Sequence, residues 1–322
     1  MKVLAASSYG PVEQLKTFQF PIREPGMGEV RVRVAASALN PADYKVIEGS
    51  AKFLHGGNLP LAVGYDFSGT VEALGAQAGP FKIGDEVFGF LYYGMKNRQG
   101  AFAETLIAKA GEIALKPAAV SHHQVAAAAT PGLTALQSLR DLGRLPGQGA
   151  RVLITGVSGG VGSIGISVAK RLGASVTAIG AGGGLALAKK LGAETVIDRK
   201  TQDVYSQVKG LFDVIFDAAA AYRWSDWSAS LKPDGVYITT LPSLDFLVDK
   251  IHSLLSPSTA KFVMVKSKAA DLQLLGEWLA DGLEVKVDSV IAVKDVAQNL
   301  ARLRKGEVVG RVVVDIPGQF GV

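Results

Sequence analysis

The chain has 322 residues, 48% of them hydrophobic and 20% charged, with a formal charge of +5 and no cysteine. Its length suits two domains of about 150 residues each, and the missing cysteine excludes disulfides, thiolate nucleophiles and cysteine-ligated metals. Basic residues are scattered, no nucleic-acid motif accompanies them, and no run reaches the ~18 apolar residues of a membrane helix.

The first segment, "MKVLAASSYG", alternates like a strand and lacks the apolar region and cleavage site of a secretory signal. A soluble, cytoplasmic protein with no nucleic-acid partner and no integral membrane segment is expected. "EVRVRVAASAL", "FSGTVEALG", "GDEVFGF" and "AFAETLIAKAGEIALKP" then read as short strands divided by Gly, Pro and Asp. Among them "LNPADYKVIEG" predicts a short helix. Asn40 is placed to cap it, Pro41 suits its first position, Asp43 faces its free N–H groups and Gly49 ends it.

From about Ser121 the period changes. "HHQVAAAATPGLTALQSLRDLG" reads as helix interrupted at Pro131. Strands and helices then alternate through "RVLITG", a helix over 163–172, "SVTAIG", "LALAKKLG", "ETVID", "FDVIFDAA", "WSDWSASLKPDG" and "VYITTL". Such alternation means parallel βαβ units. The tail returns to strand content with "VKVDSVIAV" and "RVVVDI", on either side of helical "VAQNLARLRKG". The expected fold class is α/β: a Rossmann-type, doubly wound parallel sheet over residues 121–266, inserted in a β-rich domain made of 1–120 and 267–322. "LPSLDFLVDKIHSLLSPS" sets Leu244, Leu247, Val248, Ile251 and Leu255 on one helical face, for the core or a dimer contact. A peripheral membrane surface fits less well, because the polar face is not lysine-rich.

The strongest chemical signal is "TGVSGGVG", where Ser158, Gly159, Gly160, Val161 and Gly162 lie between a buried strand and a helix. Glycines there permit the tight turn and let backbone N–H groups approach a pyrophosphate. The helix N-terminus adds unpaired donors and a partial positive charge. The four histidines, His55, His122, His123 and His252, lack the spacing of a helical metal pair, so no metal site is expected.

"VLITGVSGGVGSIGISVAKRLGA", with "ALNPADYK", "GYDFSGTVEALG", "FKIGDEVFGF", "GAFAETLIA", "AAATPGLTALQSL" and "VVGRVVVDIP", resembles the zinc-free quinone oxidoreductase branch of the medium-chain dehydrogenase/reductase superfamily. The likeness spans the chain in collinear order. It implies a GroES-like first domain and a nicotinamide cofactor. It also implies that the NPADYK turn lines the nicotinamide cleft, with Lys45 reaching cofactor or substrate oxygen. Asn40 and Asp43 would order that turn, while Tyr44 is either a cleft wall or core packing. Thr134 would lie near the nicotinamide, or else bond its own helix. Leu241 and Pro242 fall at the carboxyl edge of the sheet, where such folds bind ligands. Arg311 matches a basic position near the cofactor, or is a solvated surface charge.

No acid follows "SVTAIG" to bind a ribose 2′-hydroxyl; Gly180 opens a glycine run instead. That argues against a strong NAD preference. Arg199, helped by Lys200, either contacts a 2′-phosphate or is a solvent-facing loop charge; NADPH is the expected cofactor and NADH the alternative. Without a metal site or an obvious catalytic histidine, an acceptor whose conjugation spreads the incoming charge is favoured. The expected function is NADPH-dependent reduction of a quinone or enone by a homodimer. An enoyl-thioester reductase and a non-catalytic nucleotide-binding redox sensor remain as alternatives.

Overall fold

Polar–apolar alternation in the first 115 residues becomes mostly antiparallel sheet, and the βα alternation after them becomes a parallel one. The computed structural model describes residues 1–50, 52, 59–94, 97–241 and 243–320; His55 and Pro242 lie outside them. The chain divides into two compact units: Met1–Thr130, Lys266–Gly282 and Val287–Val322 in one, Pro131–Val265 and Leu283–Lys286 in the other.

In the first unit, β1 (Lys2–Ala6), β2 (Lys16–Gln19), β3 (Glu29–Ala38), α1 (Pro41–Ile47), β4 (Leu61–Ala62) and β5 (Asp66–Leu74) come first. They are followed by β6 (Glu86–Phe90), β7 (Thr105–Lys109), β8 (Ile113–Leu115) and the start of α2 (His122–Leu136). The alternation in β3 turns Val30, Val32 and Val34 inward, where they meet Phe67, Val71 and Phe102 in one core cluster. Each such side chain, fully buried, contributes roughly 1.5–3 kcal/mol.

The interruption expected at Pro131 is not seen. Helix α2 runs through to Leu136. Pro131 has no N–H to orphan, and the amide before it, Thr130 N–H, donates to the buried Asp66 Oδ1 at 2.8 Å.

The second unit contains β9 (Arg151–Thr155), α3 (Gly160–Arg171), β10 (Ser175–Gly180), α4 (Gly183–Lys190), β11 (Thr195–Asp198), α5 (Val204–Gln207) and β12 (Phe212–Asp217). Then come α6 (Trp224–Trp227), β13 (Leu231–Thr239), α7 (Leu244–Ser253) and β14 (Thr259–Phe262). The strands pair in parallel in the order β11-β10-β9-β12-β13-β14, so the winding reverses between β9 and β12. Ligands of doubly wound sheets bind at the carboxyl ends beside that reversal. Val152, Leu153 and Ile154 of β9 are wholly buried, as a central strand covered on both faces requires.

The chain returns to the first unit through α8 (Ala269–Ala280), β15 (Val287–Ala292), α9 (Val296–Arg304) and β16 (Arg311–Asp315). There the main sheet has the order β15-β16-β3-β5-β6-β8, with β7 also on β3. The doubly wound parallel sheet and the separate β-rich unit are those expected from the sequence.

Candidate functional site

Strand β9 ends at Thr155, and the chain turns at once through Gly156, which adopts φ +66°. A Cβ at Gly156 would lie 2.8 Å from Ala219 Cβ, and one at Gly162 would overlap the Gly156 carbonyl group. These two glycines therefore close the turn sterically, whereas a Cβ at Gly159 would meet only the Gly156 oxygen, at 3.5 Å. Gly159 caps α3, so Gly160, Val161 and Gly162 form its first turn. N–H groups of a first turn have no partner inside the helix and carry the positive end of its dipole. This is a cradle shaped by missing side chains, and it fits a pyrophosphate.

The second glycine run has a packing cause. A Cβ at Gly180 would lie 2.6 Å from Val157 Cγ2, and one at Gly184 would overlap Ser158 Oγ. Ser158 Oγ donates to the Ala181 carbonyl at 3.1 Å and ties the two glycine segments together. Side chains are excluded at 180 and 184 because the first loop occupies their space. Gly182 has room around it but adopts φ +55°.

Arg199 follows β11, and its N–H donates to the Gly180 carbonyl at 3.0 Å. Its side chain is exposed and makes no hydrogen bond or ion pair among the described residues. Its charge opposes the upward pKa shift that burial gives the nearby Tyr222 phenol. The Lys200 side chain is exposed as well.

In the first unit, the NPADYK turn is organised around buried charge. Asn40 is the residue before α1, and its N–H donates to Asp43 Oδ2 at 2.7 Å. Gly64 N–H donates to Asp43 Oδ1 at 3.0 Å. Complete burial pushes the Asp43 carboxyl up to about 7, against these two donors. Asn40 is the N-cap residue of α1, as expected, and its side chain also reaches the buried charges. Its Nδ2 donates to Asp66 Oδ2 at 2.9 Å, and its Oδ1 accepts from Arg311 Nη1 at 3.0 Å.

The solvated reading of Arg311 is overturned. It is 5% exposed and forms an ion pair with Asp66, which has no exposed surface. Burial raises the Asp66 carboxyl, and the Arg311 charge opposes that rise. Asn40, Asp43 and Arg311 are thus brought together, with Asp66 at their centre. Nothing in "GYDFSG" marks Asp66 except a lone acid in an apolar strand, and that signal is easily passed over.

Lys45 lies in the last turn of α1, half-buried, and its ammonium has no hydrogen bond or ion pair among the described residues. Burial lowers its pKa. Tyr44 packs against the first unit's hydrophobic core. Thr134 is buried in α2, and Leu241 is exposed just after β13.

The apolar stripe of α7, with Leu255 just past its end, faces outward. Leu244 is 83% and Leu255 93% exposed, and Leu247, Val248 and Ile251 are also exposed, which overturns the core reading. The helix buries Phe246, Asp249 and Ser253 instead, because Asp249 accepts from Arg223 Nη2 at 3.0 Å and from Trp224 N–H at 3.1 Å.

His122 Nδ1 lies 2.8 Å from Ser68 Oγ and its Nε2 3.1 Å from Glu86, while His123 lies 3.0 Å from Asp315. Both pairs fasten the start of α2 to strands of its own unit. A cavity of about 550 Å³ beside them, lined by Lys116, Ser121, both histidines and Asp315, contains none of the residues expected to bind cofactor.

Comparison with known proteins gives two family matches along the chain. Residues 26–118 match the alcohol dehydrogenase GroES-like domain and residues 191–314 the zinc-binding dehydrogenase family. A trans-enoyl reductase of Aspergillus terreus is 31% identical over 315 residues, covering 90% of this chain and 87% of that protein. The chloroplast envelope quinone oxidoreductase homologue of Arabidopsis thaliana is 27% identical, with 98% of each chain covered. The quinone oxidoreductase of Coxiella burnetii superposes with a TM-score of 0.88 at 28% identity, over 98% of this chain and 99% of its own. Zinc does not fit this donor set. The chain has no cysteine, and among the described residues no group of three His, Asp or Glu could hold a metal.

Proposed function

The chain belongs to the medium-chain dehydrogenase/reductase family, and from that premise we propose that it passes hydride from NADPH to a quinone or α,β-unsaturated carbonyl without zinc. The observation that carries this reading is Lys45, a half-buried ammonium without a counter-charge among the described residues, whose donors do not fit a Lewis-acid metal. A cation so placed serves an oxygen on which negative charge develops. A conjugated acceptor presents such an oxygen while spreading the charge itself.

Bound at the glycine turn, the reduced nicotinamide supplies the hydride. The first turn of α3 holds the pyrophosphate, and Arg199 meets the 2′-phosphate that distinguishes NADPH from NADH. Its unpaired guanidinium beside the side-chain-free segment at Gly180 supports that assignment. Lys45 donates to the oxyanion, Asn40 and Asp43 order its helix, and water returns the proton.

A second copy of the chain covers the apolar face of α7. The neighbouring β14 is an edge of the parallel sheet among the described residues, and such an edge beside exposed Leu and Ile favours self-association about a two-fold axis.

Reduction of an enoyl thioester is the second reading, favoured by the identity to a trans-enoyl reductase. Oxidation of NADPH and NADH, followed against quinones, alkenals, enones and enoyl thioesters, separates the two. The first reading expects turnover with quinones or enones and preference for NADPH. Rapid oxidation of simple alcohols, with no activity on any conjugated acceptor, contradicts both.

A further inference from the structure

Asp217 is the last residue of β12 and has no exposed surface. No basic side chain hydrogen-bonds or ion-pairs with it among the described residues; its partners are neutral donors. Thr155 Oγ1 donates to Oδ1 at 2.5 Å, Tyr237 Oη to Oδ2 at 2.8 Å and Tyr222 N–H to Oδ2 at 2.9 Å. Tyr237 Oη also lies 2.6 Å from the Tyr222 carbonyl, so one hydroxyl hydrogen serves both acceptors.

These partners are not scattered. Thr155 immediately precedes Gly156, where the turn against α3 begins. Tyr222 lies in the loop after β12, and that loop brings Ala219 Cβ within 2.8 Å of where a Cβ on Gly156 would sit. Within the loop Ala220 adopts φ +50°, and its N–H donates to the Asp217 carbonyl at 3.2 Å. Thr240 Oγ1, one residue past β13, donates to the Ala218 carbonyl at 3.3 Å. One buried carboxylate thus fixes the end of β9, the loop after β12 and the phenol of β13. These elements stand at the reversal in sheet order.

We propose that Asp217 is a positioning residue for the cofactor: through Thr155 and Tyr222 it fixes the glycine turn and the loop packed on it. The proposal rests on reading that turn as the pyrophosphate site. Asp217 touches no phosphate itself and acts only by holding backbone. A hydrogen bond to a buried carboxylate is among the stronger neutral-donor contacts, and its loss leaves a lone pair without a partner.

The test is direct binding of NADPH, followed by nicotinamide fluorescence, with thermal unfolding of the free protein alongside. Thr155→Val keeps the side chain's shape but removes the donor, and it is expected to weaken binding by about tenfold. Thr155→Ser restores the hydroxyl and is expected to bind within about twofold of the wild type. Asp217→Asn offers an amide where three donors converge. It is expected to raise KM for NADPH by a larger factor than KM for the acceptor.

Thr155→Val binding as tightly as the wild type would overturn the proposal, as would Thr155→Ser losing as much as Thr155→Val. If Asp217→Asn does not fold, the two Thr155 variants still decide. A wild-type chain that binds neither NADPH nor NADH overturns the pyrophosphate reading and the positioning role together. Wild-type binding with no effect of Thr155→Val removes the positioning role alone.

Discussion

The two units build their candidate sites by opposite means. The first converges charged side chains: Asp43, Asp66 and Arg311 are all buried, with one cation for two carboxylates. The second removes side chains, so that Gly156, Gly162, Gly180 and Gly184 leave backbone and space where a Cβ would not fit. A site made of charge should respond to loss of a partner and to pH. A site made of vacancy should respond to added bulk and to the charge of its ligand.

The sharpest break is at Asp66. Asp66→Ala leaves Arg311 buried without its partner and should destabilise the first unit by about 3–5 kcal/mol in denaturant unfolding. A loss under about 1 kcal/mol would mean that the pair is hydrated and not structural. Lys45→Met keeps the apolar stem but removes the ammonium. It should lower kcat on a quinone or enone by roughly 10²–10³, whereas unchanged kcat would assign Lys45 to solubility.

The charged centre also predicts a pH dependence. The Asp43 carboxyl stands at about 7 in the folded chain against roughly 3.9 when unfolded, so the folded state holds its proton more tightly. Stability should therefore fall as pH rises from about 4 to about 7, and the term should be flat above that. Asp43→Asn should reduce this slope and leave the part due to the raised Asp66 carboxyl; an unchanged slope would place its origin outside Asp43.

In the second unit, Arg199→Glu should weaken NADPH by about ten- to a hundredfold, the worth of a charge-assisted contact, and leave NADH nearly unchanged. Equal effects on both cofactors would return Arg199 to an ordinary loop charge. The smallest effect is expected just past the end of α7. Leu255→Ser, at a side chain 93% exposed, should change the stability of the isolated chain by no more than about 0.5 kcal/mol. A loss of several kcal/mol would show that the stripe is packed after all.

The same contrast explains what could be read from residues alone. The glycine turn, β10 and the parallel βαβ units were legible because they are local: a period, a turn residue and a helix start lie next to one another in "RVLITGVSGGVG". The charged centre was not, because Asn40, Asp66 and Arg311 meet only after β3, β5 and β16 pair. Asp217 was hidden for the same reason; an acid that ends an apolar strand was its one signal. Periodicity found the apolar stripe of α7 but could not say that it faces outward, since the packed side is fixed by Asp249 and its distant partner Arg223. Pro131 misled in the other direction, since Asp66 takes the amide before it.

Deuterium placed at C4 of NADPH and followed into an enone tests the central claim most directly, with a chelator present throughout. Direct hydride transfer to a conjugated acceptor predicts deuterium on the β-carbon of the product, at a rate the chelator does not change. Deuterium on the carbonyl carbon, or turnover that the chelator abolishes, would contradict it.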